Sequence, residues 1–150
     1  MISYEINCDT LALIPVSESE TKIIERNNVF NISKPIMEII ENSCEFFGSS
    51  YLGRHEGTKK LIGVSHKAPI IIEESRNLIY FPTASPRLGT CCWIGLNNIK
   101  KYENKDGKTE LLFINDRKMN LPISYGSFDN QVLRATKLES VLRKRINATE

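Results

Sequence analysis

The 150-residue chain contains two histidines, His55 and His66, and four cysteines, Cys8, Cys44, Cys91 and Cys92, the side chains with the widest chemical repertoire it offers. Each histidine adjoins a cation, Arg54 or Lys67, which opposes protonation of the ring and suits neither an acid–base pair nor a metal box. Adjacent Cys91 and Cys92 lack the C-x-x-C bite that zinc usually takes. The four cysteines match no disulfide framework and fit a reducing compartment. Beside Trp93 the pair reads as a buried strand rather than as an activated thiol. No G-x-S-x-G nucleophile elbow occurs. These residues describe a protein that is not an enzyme and carries no cofactor and no metal.

A different chemistry is offered by GSSYLGRHEGTKK, Gly48 to Lys60, where three glycines, two serines, a threonine and three cationic side chains fall within thirteen residues. Glycine lets backbone approach closely, N–H groups and hydroxyls donate, and Arg and Lys neutralise charge, which is what a phosphate attracts. The segment comes within two substitutions of the nucleotide-binding pattern G-x-x-x-x-G-K-S/T. Arg54 stands where the lysine would be, and His55 where a hydroxyl would hold magnesium. The context also differs, because a phosphate loop runs from a strand into a helix. Here the segment follows a helix and leads into TKKLIGV, which reads as a strand. Nucleotide hydrolysis is set aside; a nucleic-acid backbone and a solvated connector remain.

Charge is distributed in keeping with an anionic partner. Net charge is +2, yet residues 1–50 hold three Lys/Arg against eight Asp/Glu, and residues 51–150 hold seventeen against ten. A generally solvated face accounts for the same bias.

The elements that must position these groups follow from periodicity. At 41% hydrophobic content the chain suits one domain, residues 1–150, with a real core. No run of eighteen apolar residues exists and the N-terminus has no leader pattern, so a cytoplasmic protein is expected. SYEIN and TLALIPV read as a hairpin turning near Asp9, with TKIIER and NVFNI extended after it. Ser33 and Pro35 announce a helix over about 34–47, with Ser33 as N-cap and Gly48 as the stop. LIGV, APIIIEE, NLIYFPT, TCCWIGLNNI, TELLFIN and KMNLPIS read as strands. Asp106-Gly107 and Asn115-Asp116 sit where hairpin turns belong. From Ser127, the expected N-cap, to about Ile146, an apolar stripe of Phe128, Val132, Ala135, Leu138, Leu142 and Ile146 predicts an amphipathic helix. The fold class is α+β: a mostly antiparallel sheet built from hairpins, one central helix and a C-terminal amphipathic helix.

Four ordered blocks carry a family resemblance. They are Cys44-Glu-Phe-Phe-Gly-Ser-Ser-Tyr-Leu-Gly-Arg54 with Gly57-Thr58; Ser65-His-Lys-Ala-Pro-Ile70; Leu78-Ile-Tyr-Phe-Pro-Thr83 with Cys91-Cys-Trp-Ile94; and Leu121-Pro-Ile-Ser-Tyr-Gly-Ser-Phe-Asp-Asn-Gln-Val132. Together they resemble the ComK competence transcription factors of naturally transformable bacteria, over nearly the whole chain. The resemblance implies a DNA-binding activator of DNA-uptake genes that recognises paired A·T-rich boxes through the minor groove and forms a homo-oligomer on double-stranded DNA. Arg54 is then the candidate for insertion into the narrow, electronegative groove of an A·T tract, with Arg87 of PTASPRLGT second. Lys59, Lys60 and Lys67, with His66, would hold phosphates; Ser49, Ser50 and Thr58 line the same segment, and Arg134 joins from the last helix.

Each assignment has a structural competitor. Arg54 could pair with an N-terminal acid and anchor the loop; Lys59 and Lys60, adjacent on a strand, would point to opposite faces; Ser49, Ser50 and Thr58 could cap or turn the chain. The resemblance also implies an adaptor–protease system that grips a tail with an aromatic-Leu-Tyr-Pro-Lys type motif. That motif is absent from the 150 residues, which puts this partner in question. Two other functions stay open: a DNA-binding modulator or competitor of a longer ComK relative, and a protein-interaction module using the acidic first third or the apolar face of the last helix.

Overall fold

Runs such as TLALIPV and NLIYFP place apolar residues at successive positions, a pattern a strand tolerates when both its faces are covered. The computed structural model, which describes residues 3–148, arranges them that way. Strands β1 (Thr10–Ser17), β2 (Glu20–Glu25), β3 (Val29–Ile32), β4 (Ile70–Glu73), β5 (Leu78–Pro82) and β6 (Trp93–Gly95) form one antiparallel sheet in the order β3-β2-β1-β6-β5-β4. A 3-10 turn, Leu96–Asn98, leads to a second antiparallel sheet of β7 (Ile99–Lys105), β8 (Lys108–Phe113) and β9 (Lys118–Ser124). Three helices complete the chain: α1 (Ile36–Phe46), α2 (Tyr51–Ile62) and α3 (Tyr125–Ala148). The fold is α+β.

Alternate residues of the larger sheet feed two cores. On one face Leu13, Ile23, Tyr80 and Trp93 meet Ile39, Ile40 and Cys44 of α1. On the other, Ile24, Ile79, Phe81 and Ile94 meet Leu111 and Phe113 of the second sheet and Phe128, Ala135 and Leu138 of α3. The apolar stripe of the last helix is therefore covered by the chain's own sheets. Helix α2 runs alongside the β4 edge, where the buried Thr58 hydroxyl donates to the Pro69 carbonyl (2.6 Å); a helix laid there blocks further strand addition.

Several local expectations are corrected. The first hairpin pairs β1 with β2, Ser17 opposite Glu20, not SYEIN with TLALIPV. Tyr4 to Asn7 forms no strand; its Tyr4 hydroxyl reaches Thr10 Oγ1 (2.6 Å) and its Ile6 N–H reaches Ser43 Oγ (3.0 Å). TKKLIGV is not a strand: Thr58 to Ile62 finishes α2, and Gly63 closes it at φ +73°. Helix α1 has Pro35 as N-cap with no side-chain cap, so Ser33 plays no such part. Helix α3 starts before Ser127, whose N–H donates to Ser124 Oγ (3.2 Å). The expected β-turns at Asp106-Gly107 and Asp116 do form, with positive φ at all three residues.

Candidate nucleic-acid interface

The glycine-rich segment is a helix start. Gly48, at φ +87°, ends the first helix, and two residues later Ser50 caps α2 by accepting from Gly53 N–H (2.9 Å). The Tyr51 N–H donates to the Glu41 carboxylate. A carboxylate and a hydroxyl thus occupy donors that a phosphate would use at a helix N-terminus. The nucleotide-loop reading fails for this reason as well as for context: the segment joins two helices instead of entering a strand.

Helical geometry also resets the candidate cations. Arg54 turns inward: its side chain is 18% exposed, and its Nη1 meets Glu74 Oε1 at 3.0 Å in the β4–β5 turn. The ion pair is with that turn, not with an N-terminal acid. Thr58 is fully buried, and Ser49 packs over Gly53, its Oγ 3.1 Å from where a Cβ would lie. Ser49, Ser50 and Thr58 are thereby committed to building the helix. Lys59 and Lys60 are exposed and lie about 100° apart around α2 rather than on opposite faces. Lys59 is one turn beyond His55, on the same stripe.

That stripe faces a groove of about 480 Å³. Tyr51 and His55 of α2 form one wall, His66 and Lys67 a second, and Arg87 with Pro86 a third. No carboxylate lines it among the described residues. His55 Nε2 donates to the Ser65 carbonyl (2.8 Å), tying α2 to the 65–67 turn. From α3, the buried Gln131 donates through Nε2 to the Lys67 carbonyl (2.9 Å) and the Pro82 carbonyl (2.7 Å). Arg134 Nη1 donates to the His66 carbonyl (3.0 Å) and to Gln131 Oε1 (3.3 Å). Lys67 is held in the left-handed region, φ +50°, which an L-residue with a long side chain adopts only when its surroundings enforce it. The carbonyl clamp supplies that enforcement and sends the lysine stem to the groove.

Of the sequence candidates, then, His66, Lys67 and Arg87 meet at one groove, Arg134 braces its 65–67 turn, Lys59 and Lys60 are exposed on α2 without lining the groove, and Arg54 is not among its lining residues. Tyr51, His55 and Gln131 were not among the candidates for the site. The one signal for the first two was their i, i+4 spacing, legible only once the segment is known to be helical. Elsewhere, burial pushes the thiols of Cys44 and Cys92 up to about 12 and about 11, opposite to the direction a nucleophile needs. No helix among the described residues is long and apolar enough to cross a membrane.

Comparison with known proteins agrees with the sequence blocks. The family described as ComK protein matches residues 1–147. A curated relative, the competence transcription factor of Bacillus subtilis (strain 168), is 40% identical over 149 residues, 97% of this chain and 78% of its own length. No solved structure matches. The four blocks, the extent of the family match and this identity place the chain in one lineage: it belongs to the ComK family.

Proposed function

We propose that the chain is a competence transcription factor that binds double-stranded DNA at A·T-rich boxes through the groove between α2, the 65–67 turn and the Arg87 loop. The observation that carries this is the convergence of His55, His66, Lys67 and Arg87 from three separate segments on one open groove without a lining carboxylate. The name of the 40% identical relative supports the biological role. In this scheme Arg87, exposed on its loop, is the guanidinium that enters the minor groove, where narrowing at A·T tracts deepens the negative potential. Lys59, Lys60 and Lys67 hold phosphates on either side and fix register without reading sequence. Arg54 acts as a positioning residue that ties α2 to the β4–β5 turn. Self-association on paired boxes and activation of DNA-uptake genes complete the proposal.

A gel-shift titration on an A·T-box duplex and a G·C-rich duplex of equal length tests it. Arg87→Ala is expected to erase about 1–3 kcal/mol of preference for the A·T duplex. Arg54→Ala should keep that preference and lower thermal stability by about 1 kcal/mol, through loss of a partly buried ion pair. Loss of A·T preference in Arg54→Ala with Arg87→Ala unaffected would reverse the two roles. Failure of the parent chain to bind either duplex would end the DNA reading.

A further inference from the structure

A second cavity, of about 140 Å³, lies where the two sheets join, away from the DNA groove: it is lined by Cys8, Arg26, Arg76, Asn77, Tyr80 and Asn98, among others, and shares no lining residue with that groove. Its volume is of the order that one small anion fills. We infer that this cavity is a binding site for a small tetrahedral oxyanion, free phosphate or the phosphate group of a small metabolite.

The inference rests on the donor set. Arg26 and Arg76 both line the cavity, and among the described residues no aspartate or glutamate does. Each has only a loose acidic neighbour: Arg26 Nε lies 3.9 Å from Asp9 Oδ1, and Arg76 Nε 3.9 Å from Glu73 Oε1. Ion pairs at that separation and exposure hold a guanidinium weakly, so both remain able to turn onto a bidentate oxyanion, the geometry their planar fork favours. Arg76 is additionally placed by the Phe47 ring, 5.9 Å from its Cζ. Asn77 accepts from Arg143 through Oδ1, and its Nδ2 has no partner among the described residues. Asn98 Nδ2 is committed to the Thr10 carbonyl (2.7 Å) and fixes the polar floor of the cavity. The wall therefore offers donors, two of them cationic, around a space of the right order for one phosphate.

The site has structural reach. Asn97, also on its wall, donates to the Asn77 carbonyl and to Glu139 of α3, both at 2.9 Å. Asn115 of the β8–β9 turn donates to the Arg26 carbonyl (2.9 Å). An anion that drew the two arginines together would tighten the junction of β2, the β4–β5 turn, the 3-10 turn and α3.

Cys8 supplies the readout, because it is the exposed cysteine on this wall while Cys44, Cys91 and Cys92 are buried. The full chain, without DNA, is treated with neutral iodoacetamide in sodium chloride or in sodium phosphate of equal ionic strength, and alkylation of Cys8 is followed by mass spectrometry. At phosphate ten times its dissociation constant, alkylation is expected to slow by about tenfold, as mass action requires. Arg26→Gln with Arg76→Gln should abolish the protection. Protection by glycerol phosphate as well as inorganic phosphate assigns the site to a phosphate monoester; protection by inorganic phosphate alone assigns it to the free ion. An unchanged rate in the parent chain overturns the inference, and so does equal slowing in the double variant, which would be a general salt effect. Neither result depends on DNA binding.

Discussion

A chain carrying Lys67→Asn together with Arg87→Ala is expected to bind duplex DNA roughly fiftyfold to a hundredfold more weakly than the parent at about 0.1 M salt. The magnitude follows from counterion release and from groove readout. The lost Lys67 phosphate contact contributes a slope of about −0.9 in log K against log salt, nearly a factor of ten at about 0.1 M, and the lost Arg87 groove contact, worth about 1–3 kcal/mol, supplies roughly another factor of ten on an A·T duplex. The slope itself should flatten by about one. Asparagine is chosen for position 67 because it tolerates the left-handed conformation, φ +50°, that Gln131 and Arg134 enforce there. Exposed Arg87 lies on a loop, so neither change reaches the core, and the melting temperature serves as the control. Binding within twofold of the parent, with an unaltered slope, would place the DNA on another face of the molecule.

The second large effect is on stability. Gly95→Ala should lower it by about 3 kcal/mol, a fall in melting temperature of roughly 6–12 °C for a domain of this size. Backbone freedom is not the cause, since Gly95 has ordinary extended angles, φ −79° and ψ 119°. Space is the cause: an added Cβ would lie 2.6 Å from Asn98 Nδ2 and 2.8 Å from Tyr80 Cε2. Neither neighbour can yield cheaply, because Tyr80 is 1% exposed and its hydroxyl donates to the Thr10 carbonyl (2.6 Å), the same carbonyl that Asn98 Nδ2 reaches at 2.7 Å. Moving either breaks a buried hydrogen bond as well as the packing. Gly89→Ala is the matched control: it is exposed, with nothing within 4 Å of the added carbon, and should change stability by less than about 0.5 kcal/mol. Equal melting of the two variants would show that the β6 neighbourhood relaxes freely.

Much of the architecture was legible in the order of residues. Strands β1, β2, β4 and β5, the β7–β8 turn at Asp106-Gly107 and the stripe of α3 were readable because local pattern and final environment agree there: each side chain's burial is fixed by its place in a strand or helix repeat. The errors have one physical source. TKKLIGV carries strand-like residues, and GSSYLGRHEG carries glycine and serine that usually mark a loop. Yet Ser50 caps the chain, and Tyr51, Leu61 and Ile62 find hydrophobic partners across two cores. Tertiary burial outweighed propensities worth a few tenths of a kcal/mol per residue.

The sequence alone determined lineage and class: four ordered blocks carried the ComK resemblance, and alternation with hairpin turns carried the α+β sheet. Tertiary structure alone decided which cations share a surface. Arg54 left the expected site because Glu74, twenty positions away, lies 3.0 Å from it. His66, Lys67 and Arg87 entered one groove because α3 clamps the Lys67 and Pro82 carbonyls through Gln131. Side-chain type is a local property that a string records, whereas charge clustering depends on long-range contacts whose partners no local pattern names.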